Sequence, residues 1–420
     1  MKILIKGGRV VDPASGRDQV GDLWVSEGKL SGKSEKPDRT IEAKGLVVAP
    51  GLIDLSARLR EPGYEYKATL ESEMAAAVAG GVTSLACPPD TDPPLDEPGL
   101  VDMLRRRAKA LSLARVYPLG ALTVKLEGAQ LTEMAELAES GCVAFSQANA
   151  PLADTHVLWR ALQYAATFGF PVWLRAADLW LSREGVAHDG EVATRLGLPG
   201  IPAFAETIAL AALLELVRAT GTRVHVCRLS SAAAVEMIRR AKAEGLPVTC
   251  DVGIHHVHLA DTDLGFFDSH CRLDPPLRGR RDREALSAAL AEGVIDCACS
   301  DHTPVDEDSK HRPFAEAEVG ATALELLLPL ALRWGRERKL PLAKALARVT
   351  SDPARILGSH AGRIESGAPA DLVVFDPEAP FHVTPESLRS QGKNSPFLGY
   401  ELAGRVRCTL VAGNVVFEQA

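Results

Sequence analysis

The stretch Gly51-Leu52-Ile53-Asp54-Leu55-Ser56-Ala57-Arg58-Leu59-Arg60-Glu61-Pro62-Gly63 decides how this 420-residue chain is read. The apolar run 47–53 predicts a buried strand. The polar residues that follow, among them Ser56, Arg58 and Arg60, would emerge at its C-terminal end. In a β/α barrel that end is the face on which side chains from several strands converge.

Downstream of this stretch, strand-like and helix-like segments alternate. Apolar runs at 84–87, 115–120, 143–145, 171–174, 223–227, 247–252 and 294–299 join 47–53 as predicted strands. Helical composition fills 70–79, 95–111, 129–139, 155–168, 203–220, 232–244 and 281–292. Gly80, Gly141, Gly221, Gly245 and Gly293 stand where C-caps belong. The fold class is therefore α/β, a (β/α)8 TIM-like barrel. An open doubly wound sheet fits less well, because no Gly-x-Gly-x-x-Gly loop follows the first strand.

The two ends differ from the middle. Residues 2–50 are β-rich, with a hairpin turning at Glu27-Gly28. The segments 371–376 and 406–417 answer them, the second folding around Gly413-Asn414. Neither end has enough strands to fold alone, so both termini are expected to build one small β-sandwich. The expected boundaries are 1–50 and 361–420 for that sandwich and 51–360 for the barrel.

A net charge of −8 argues against a nucleic-acid or anionic-membrane partner. No apolar run reaches the roughly 18 residues of a membrane span. The cysteines are scattered without a disulfide or metal spacing, so reduced thiols and a cytoplasmic location are expected. Cys297 and Cys299 would share one face of a strand.

Residues 51–63 resemble the first barrel strand of the dihydroorotase branch of the amidohydrolase superfamily, in which two histidines at the positions of Ser56 and Arg58 hold a divalent metal. The resemblance runs through nearly the whole chain, so the other slots can be read in turn. Arg60 keeps the family's carboxylate-gripping arginine, and Asp90 stands where an asparagine helps hold substrate. Gln147 lies in the segment that supplies the bridging carboxylate, while Arg175 and Arg228 replace the histidines of the fifth and sixth strands. Asp274 replaces an asparagine in a Pro-Pro-Leu-Arg loop that ends at Arg278. Asp301 and the neighbouring His302 are retained. The match is closest to the inactive dihydroorotase-like chains that accompany aspartate transcarbamoylase in some bacteria. The run Asp12 to Gly16, Cys87-Pro88-Pro89 and Ser56 to Gly63 carry that likeness.

The resemblance implies a barrel without catalytic residues and without a metal, since Asp301 alone cannot hold a hydrolytic cation. Guanidinium has no lone pair to donate. A solitary buried Asp301 would need a partner, and Arg58, Arg175 or Arg228 is expected to supply it. Arg60, Asp90, Asp274 and His302 remain as vestigial substrate-binding residues. The cluster His255, His256, His258 reads as a packed loop, and Cys87, Cys227, Cys250 and Cys299 as core filler. Residues 306–312 read as a solvated loop at the mouth, and 392–399 as a tie between the C-terminal part and the barrel.

What the resemblance implies for function is a structural subunit of pyrimidine biosynthesis whose partner is the aspartate transcarbamoylase catalytic chain; the oligomeric state, a homodimer included, stays open. One alternative is a non-catalytic binder of dihydroorotate- or carbamoyl-aspartate-like anions through Arg60, Arg278 and His302. The other is an active cyclic-amide hydrolase with a zinc site rebuilt from Asp301, His302 and a cysteine.

Overall fold

The computed structural model describes residues 1–33 and 36–419. Its middle is a ring of eight parallel strands: Leu52–Asp54, Val82–Cys87, Arg115–Ala121, Ala144–Ser146, Val172–Leu174, Val224–Val226, Val248–Gly253 and Cys297–Cys299, neighbours in space in that order. Inward-facing residues from successive strands, including Ile53, Ala86, Leu119, Ala144, Trp173, Cys297 and Cys299, fill the interior. Helices cover the outside, and Leu70–Ala79 and Thr155–Phe168 fall on their sequence-predicted spans.

The ring closes without a regular ladder between its first and eighth strands. Asp54 spans the seam, taking hydrogen bonds from the Ser300 backbone N–H at 2.9 Å and from its hydroxyl. Just above, Arg58 N–H donates to His302 O at 2.9 Å and His302 N–H to Ser56 O at 3.1 Å. On the same seam Ile53 N–H bonds Val349 O and Ala298 N–H bonds Arg348 O, so residues 348–349 wedge between the strands. Burial pushes the Asp54 carboxyl up to about 6, even with the Ser300 donors opposing it.

The run 47–53 is not one strand. Val47–Pro50 lies in the terminal sheet, antiparallel to Leu372–Phe375, and only Leu52–Asp54 enters the barrel. Gly51 is the break. A Cβ there would stand 2.2 Å from Thr83 atoms, so the close approach of the two strands requires glycine.

The two termini build one continuous, mostly antiparallel sheet. Its order is Asn414–Glu418, Glu401–Val411, Leu372–His382, Val47–Pro50, Lys2–Asp12, Arg17–Ser26, Lys29–Ser31, with Arg39–Glu42 also on Lys2–Asp12. An irregularity between Ile5 and Gly8 lets the long first strand pair with Arg39–Glu42 along one half and with Val47–Pro50 along the other. Ile3, Ile5, Val25, Leu372, Val374 and Leu410 form a core separate from the barrel's. The first hairpin turns at Glu27-Gly28, with φ of 53° and 79°. The last one turns at Ala412-Gly413 (φ 47° and 72°), one residue before the expected pair, because a two-residue turn of this hand needs positive φ at both central positions and Asn414 already pairs with Val411.

Helices that the sequence reading does not place include Leu327–Glu337, Leu342–Ala347 and Ser351–Leu357, besides the short Leu179–Ser182 and Glu191–Leu196. In the first, Leu327 through Leu332 are all buried, and the exposed polar residues Arg333, Arg336 and Glu337 come only in its last turns. Residues 307–310, expected as solvated loop, form a short helix whose Lys310 is buried. Its ammonium donates to the carbonyls of Ser269, Arg272 and Glu318. The His255 to His258 cluster is a short helix, Ile254–His258. Asn394 does tie the C-terminal part to the barrel, donating to Thr303 O and Gly320 O at 3.0 Å. No described helix is long and apolar enough to cross a membrane.

Candidate functional site: an arginine-filled barrel mouth

Each strand delivers its side chain to the mouth through the residues just beyond its end. Four of these, Arg60, Ala148, Arg228 and Asp301, have φ between 47° and 63°. Positive φ in non-glycine residues stores strain, and such residues concentrate where a fold has been shaped around a site.

Asp301 sits at the centre. Its Oδ1 accepts from Arg228 Nη1 at 3.0 Å, Arg58 Nη1 at 3.3 Å and Ser56 Oγ at 3.3 Å. Arg58 turns its Nε to Asp90 at 2.8 Å and shares Nη1 with Thr303 Oγ1 at 3.0 Å. Arg228 reaches Asn149 Oδ1 at 2.6 Å. Arg175, the third arginine expected to compensate Asp301, instead makes a two-pronged pair with Asp274. Both guanidiniums on Asp301 are 4% exposed and the aspartate side chain is 13% exposed. Burial alone would raise the Asp301 carboxyl, but Arg228 and Arg58 outweigh it and hold it below the usual carboxylate range. Asp90 is lowered in the same way, chiefly by Arg58 acting against burial.

Two loops frame the opening. Lys67 pairs with Glu318 across it and lies over the Tyr64 ring at 4.9 Å. Nothing in the sequence foretold that contact, because its partners are 251 residues apart and neither belongs to a motif. Arg60 donates to Pro304 O at 2.7 Å, and among the described residues no carboxylate lies within ion-pair distance of it. Arg58, Arg60, Arg175, Arg228 and Lys67 thus face Asp90, Asp274, Asp301 and Glu318, leaving one cation in excess. A cavity of about 280 Å³ remains, lined by Arg58, Arg60, Asp90, His255, Asp274 and Asp301.

The expected anion-binding trio is not assembled. His302 is fully buried and turned away from the mouth, its Nε2 on Glu73 of the Leu70–Ala79 helix, where Ser72, Ser390 and Gln391 also converge. Arg278 is spent on Ile201 O, His188 and Ser230. Of the three, only Arg60 faces the cavity. A zinc site built from Asp301 and His302 fails for the same reason, since the two side chains serve opposite partners.

The family's metal positions fit no cation here. Gln147 spends its amide on Thr123 and Leu126 O. Arg58, Arg175 and Arg228 have no lone pairs, and Asp301 is the one carboxylate left. The histidine cluster does not converge either. His256 bonds Pro275 O, His258 bonds Leu330 O, and His255 stacks on Phe397 with burial pushing it down to about 3. All eight cysteines are free, and burial raises the Cys87 thiol to about 12.

Comparison with known proteins agrees with this architecture. A family model described as Dihydro-orotase-like matches residues 45–234. A "Dihydroorotase-like protein" of Pseudomonas aeruginosa is 47% identical over 423 residues, covering 100% of both chains. One of Pseudomonas putida is 46% identical, covering 99% of each. A "Dihydroorotase" of Trichlorobacter lovleyi is 41% identical, again over 99% of each. Among solved structures, the L-hydantoinase (dihydropyrimidinase) of Arthrobacter aurescens superposes with a TM-score of 0.87 over 99% of this chain and 96% of its own, at 24% identity, which establishes the fold. With relatives this similar over their full length, the chain belongs to the dihydroorotase-like family.

Proposed function

We propose that this chain is a non-catalytic dihydroorotase-like subunit of pyrimidine biosynthesis that supports the assembly of an aspartate transcarbamoylase catalytic chain. The observation that carries the loss of catalysis is the closure of Arg58 and Arg228 on Asp301. Hydrolysing a cyclic amide requires a polarised carbonyl and a water made nucleophilic, which two-metal hydrolases obtain from their cations. Here the cations are guanidiniums, and those of Arg58, Arg175 and Arg228 are already committed to carboxylates. Asp301, held anionic below its usual range by two arginines, is a poor base near neutral pH. The partner rests on the likeness in residues 12–16, 56–63 and 87–89.

The test has two arms. The full chain is assayed for dihydroorotase turnover with added zinc, and mixed with aspartate transcarbamoylase catalytic chains for size-exclusion chromatography. No turnover and a co-eluting complex are expected. Turnover abolished by Asp301→Asn would overturn the non-catalytic reading, and separate elution would overturn the partner.

A second reading draws on Arg60, which has no carboxylate partner, and on Arg58 Nη2, buried without an acceptor, both at the same cavity. These donors suit a carboxylate-bearing ligand held without turnover. Thermal stabilisation by dihydroorotate or carbamoyl aspartate, lost in Arg60→Ala, would support it. A ligand at 100 times its Kd adds about 2.7 kcal/mol. An unchanged midpoint at millimolar ligand would refute it.

A further inference from the structure

Beneath the mouth, the barrel interior holds a second polar group. Residues two apart on a strand project to the same side, so His225 and Cys227 both point inward, where Asp251 of the next strand meets them. Among the described residues these three are the one set of His, Cys or carboxylate groups whose candidate ligand atoms all lie within 4.8 Å of one another. His225 and Asp251 are 2% and 1% exposed.

From this arrangement we infer that His225, Cys227 and Asp251 form a site for a zinc-class divalent cation, distinct from the mouth. The donor set is a nitrogen, a sulfur and an oxygen, which suits zinc or cobalt and leaves a fourth tetrahedral position for water. The supporting contacts are in place. Thr249 Oγ1 lies 2.8 Å from His225 Nδ1, which fixes the ring and leaves Nε2 facing Asp251 Oδ2 at 2.9 Å. The backbone N–H of Arg228 occupies Asp251 Oδ1 at 2.6 Å, which reserves Oδ2. A cavity of about 260 Å³, lined by Trp173, Arg223, His225, Thr249 and Arg355, reaches the imidazole from the N-terminal ends of the strands.

Without a cation the imidazole is satisfied on both nitrogens, so loading has a defined proton balance. Cys227 gives its thiol proton to solvent as the metal–sulfur bond forms. The proton that Nε2 donates to Asp251 Oδ2 in the metal-free form moves to Nδ1, where the neutral ring donates it to Thr249 Oγ1, and this frees the Nε2 lone pair for the metal. Loading is therefore favoured by rising pH.

The experiment uses the full chain, stripped with chelator, dialysed against cobalt(II) and then against metal-free buffer. One cobalt per chain and a thiolate-to-cobalt charge-transfer band are expected. The band disappears in Cys227→Ser and persists in Cys299→Ser. Cys227→Ser alters the barrel interior, so a second measurement uses the unsubstituted chain alone: cobalt should protect Cys227, located by mass spectrometry, from alkylation in mild denaturant. No retained cobalt, cobalt without a thiolate band, a band surviving Cys227→Ser, or unprotected Cys227 would each overturn the site. A band accompanied by dihydroorotase turnover would uphold this site while overturning the non-catalytic reading of the mouth.

Discussion

Replacing Asp301 by asparagine separates a structural mouth from a catalytic one. The substitution keeps the shape and removes the one carboxylate on which Arg58 and Arg228 converge. Arg58 retains Asp90, but Arg228 keeps only Asn149 and is left charged in a site where it is 4% exposed. Breaking a buried pair from one side costs about 3–5 kcal/mol. The remaining pair at Asp90 and the 13% exposure of Asp301 place this case near the lower end, about 3 kcal/mol. At about 2.1 cal/mol/K per residue the unfolding entropy of the chain is about 0.9 kcal/mol/K, so the midpoint should fall by about 3–4 °C. Urea unfolding followed by circular dichroism reads the same loss as a lower transition concentration at unchanged slope. The pH dependence supplies a second signature. The folded Asp301 carboxyl is lowered, so its contribution is fully present above the ordinary carboxylate value of about 3.9 and is lost as pH falls through the folded value. Asp301→Asn should therefore flatten the acid limb of the stability curve below about pH 4. Adding Arg228→Met should recover much of the loss, because a packed apolar side chain replaces a stranded charge. An Asp301→Asn protein as stable as its parent, or more so, would refute the idea that this cluster holds the mouth together. That is the behaviour of a carboxylate strained for catalysis.

Three further outcomes follow from the geometry. Glu73→Gln should cost about 3 kcal/mol in urea unfolding, since it weakens an acceptor that gathers His302, Ser390, Gln391 and Ser72 in a fully buried site; a loss under about 1 kcal/mol would mean that the network relaxes without it. Gly51→Ala should destabilise by about 1–3 kcal/mol through overpacking against Thr83, and Gly51→Ala with Thr83→Ala should recover part of it, as read by thermal midpoint. A thiol reagent near neutral pH should label the native chain slowly, because burial raises thiols such as Cys87 and Cys227, and should find all eight in denaturant.

The architecture was legible wherever a segment has one wet face. The 155–168 helix could be read because Leu158, Ala161, Leu162 and Ala165 face inward while the other side is polar. The helix at Leu327–Glu337 was hidden because its run Leu327 to Leu332 is apolar and buried throughout, its polar residues Arg333, Arg336 and Glu337 coming only near its end. The 47–53 run looks like a single strand because its residues are all buried, though in three different clusters, and apolar composition does not record which. At the mouth, the sequence announced the arginines but not their pairing. Three candidates competed for Asp301, and the choice of Arg58 and Arg228 over Arg175 rests on Asp274, which a loop 99 residues from Arg175 brings within reach. His302 misled for a related reason: adjacent residues at a strand end point to opposite sides, so Asp301 in the mouth places its neighbour against Glu73.

The seam between the first and eighth strands dictates the order in which the protein can be made. Asp54 waits for Ser300, Ile53 for Val349, and Val47–Pro50 for Leu372–Phe375. At about 5–20 residues per second, the roughly 300 residues between position 53 and position 349 take about 15–60 s to synthesise. Throughout that interval the nascent chain carries an unpaired apolar edge at Leu52–Asp54, ready to pair with another strand edge. The barrel and the terminal sheet then complete close together, between residues 349 and 418. A ribosome stalled before Val349 would release an open arc of strands rather than a smaller folded domain, and that arc is the form a chaperone would have to shield.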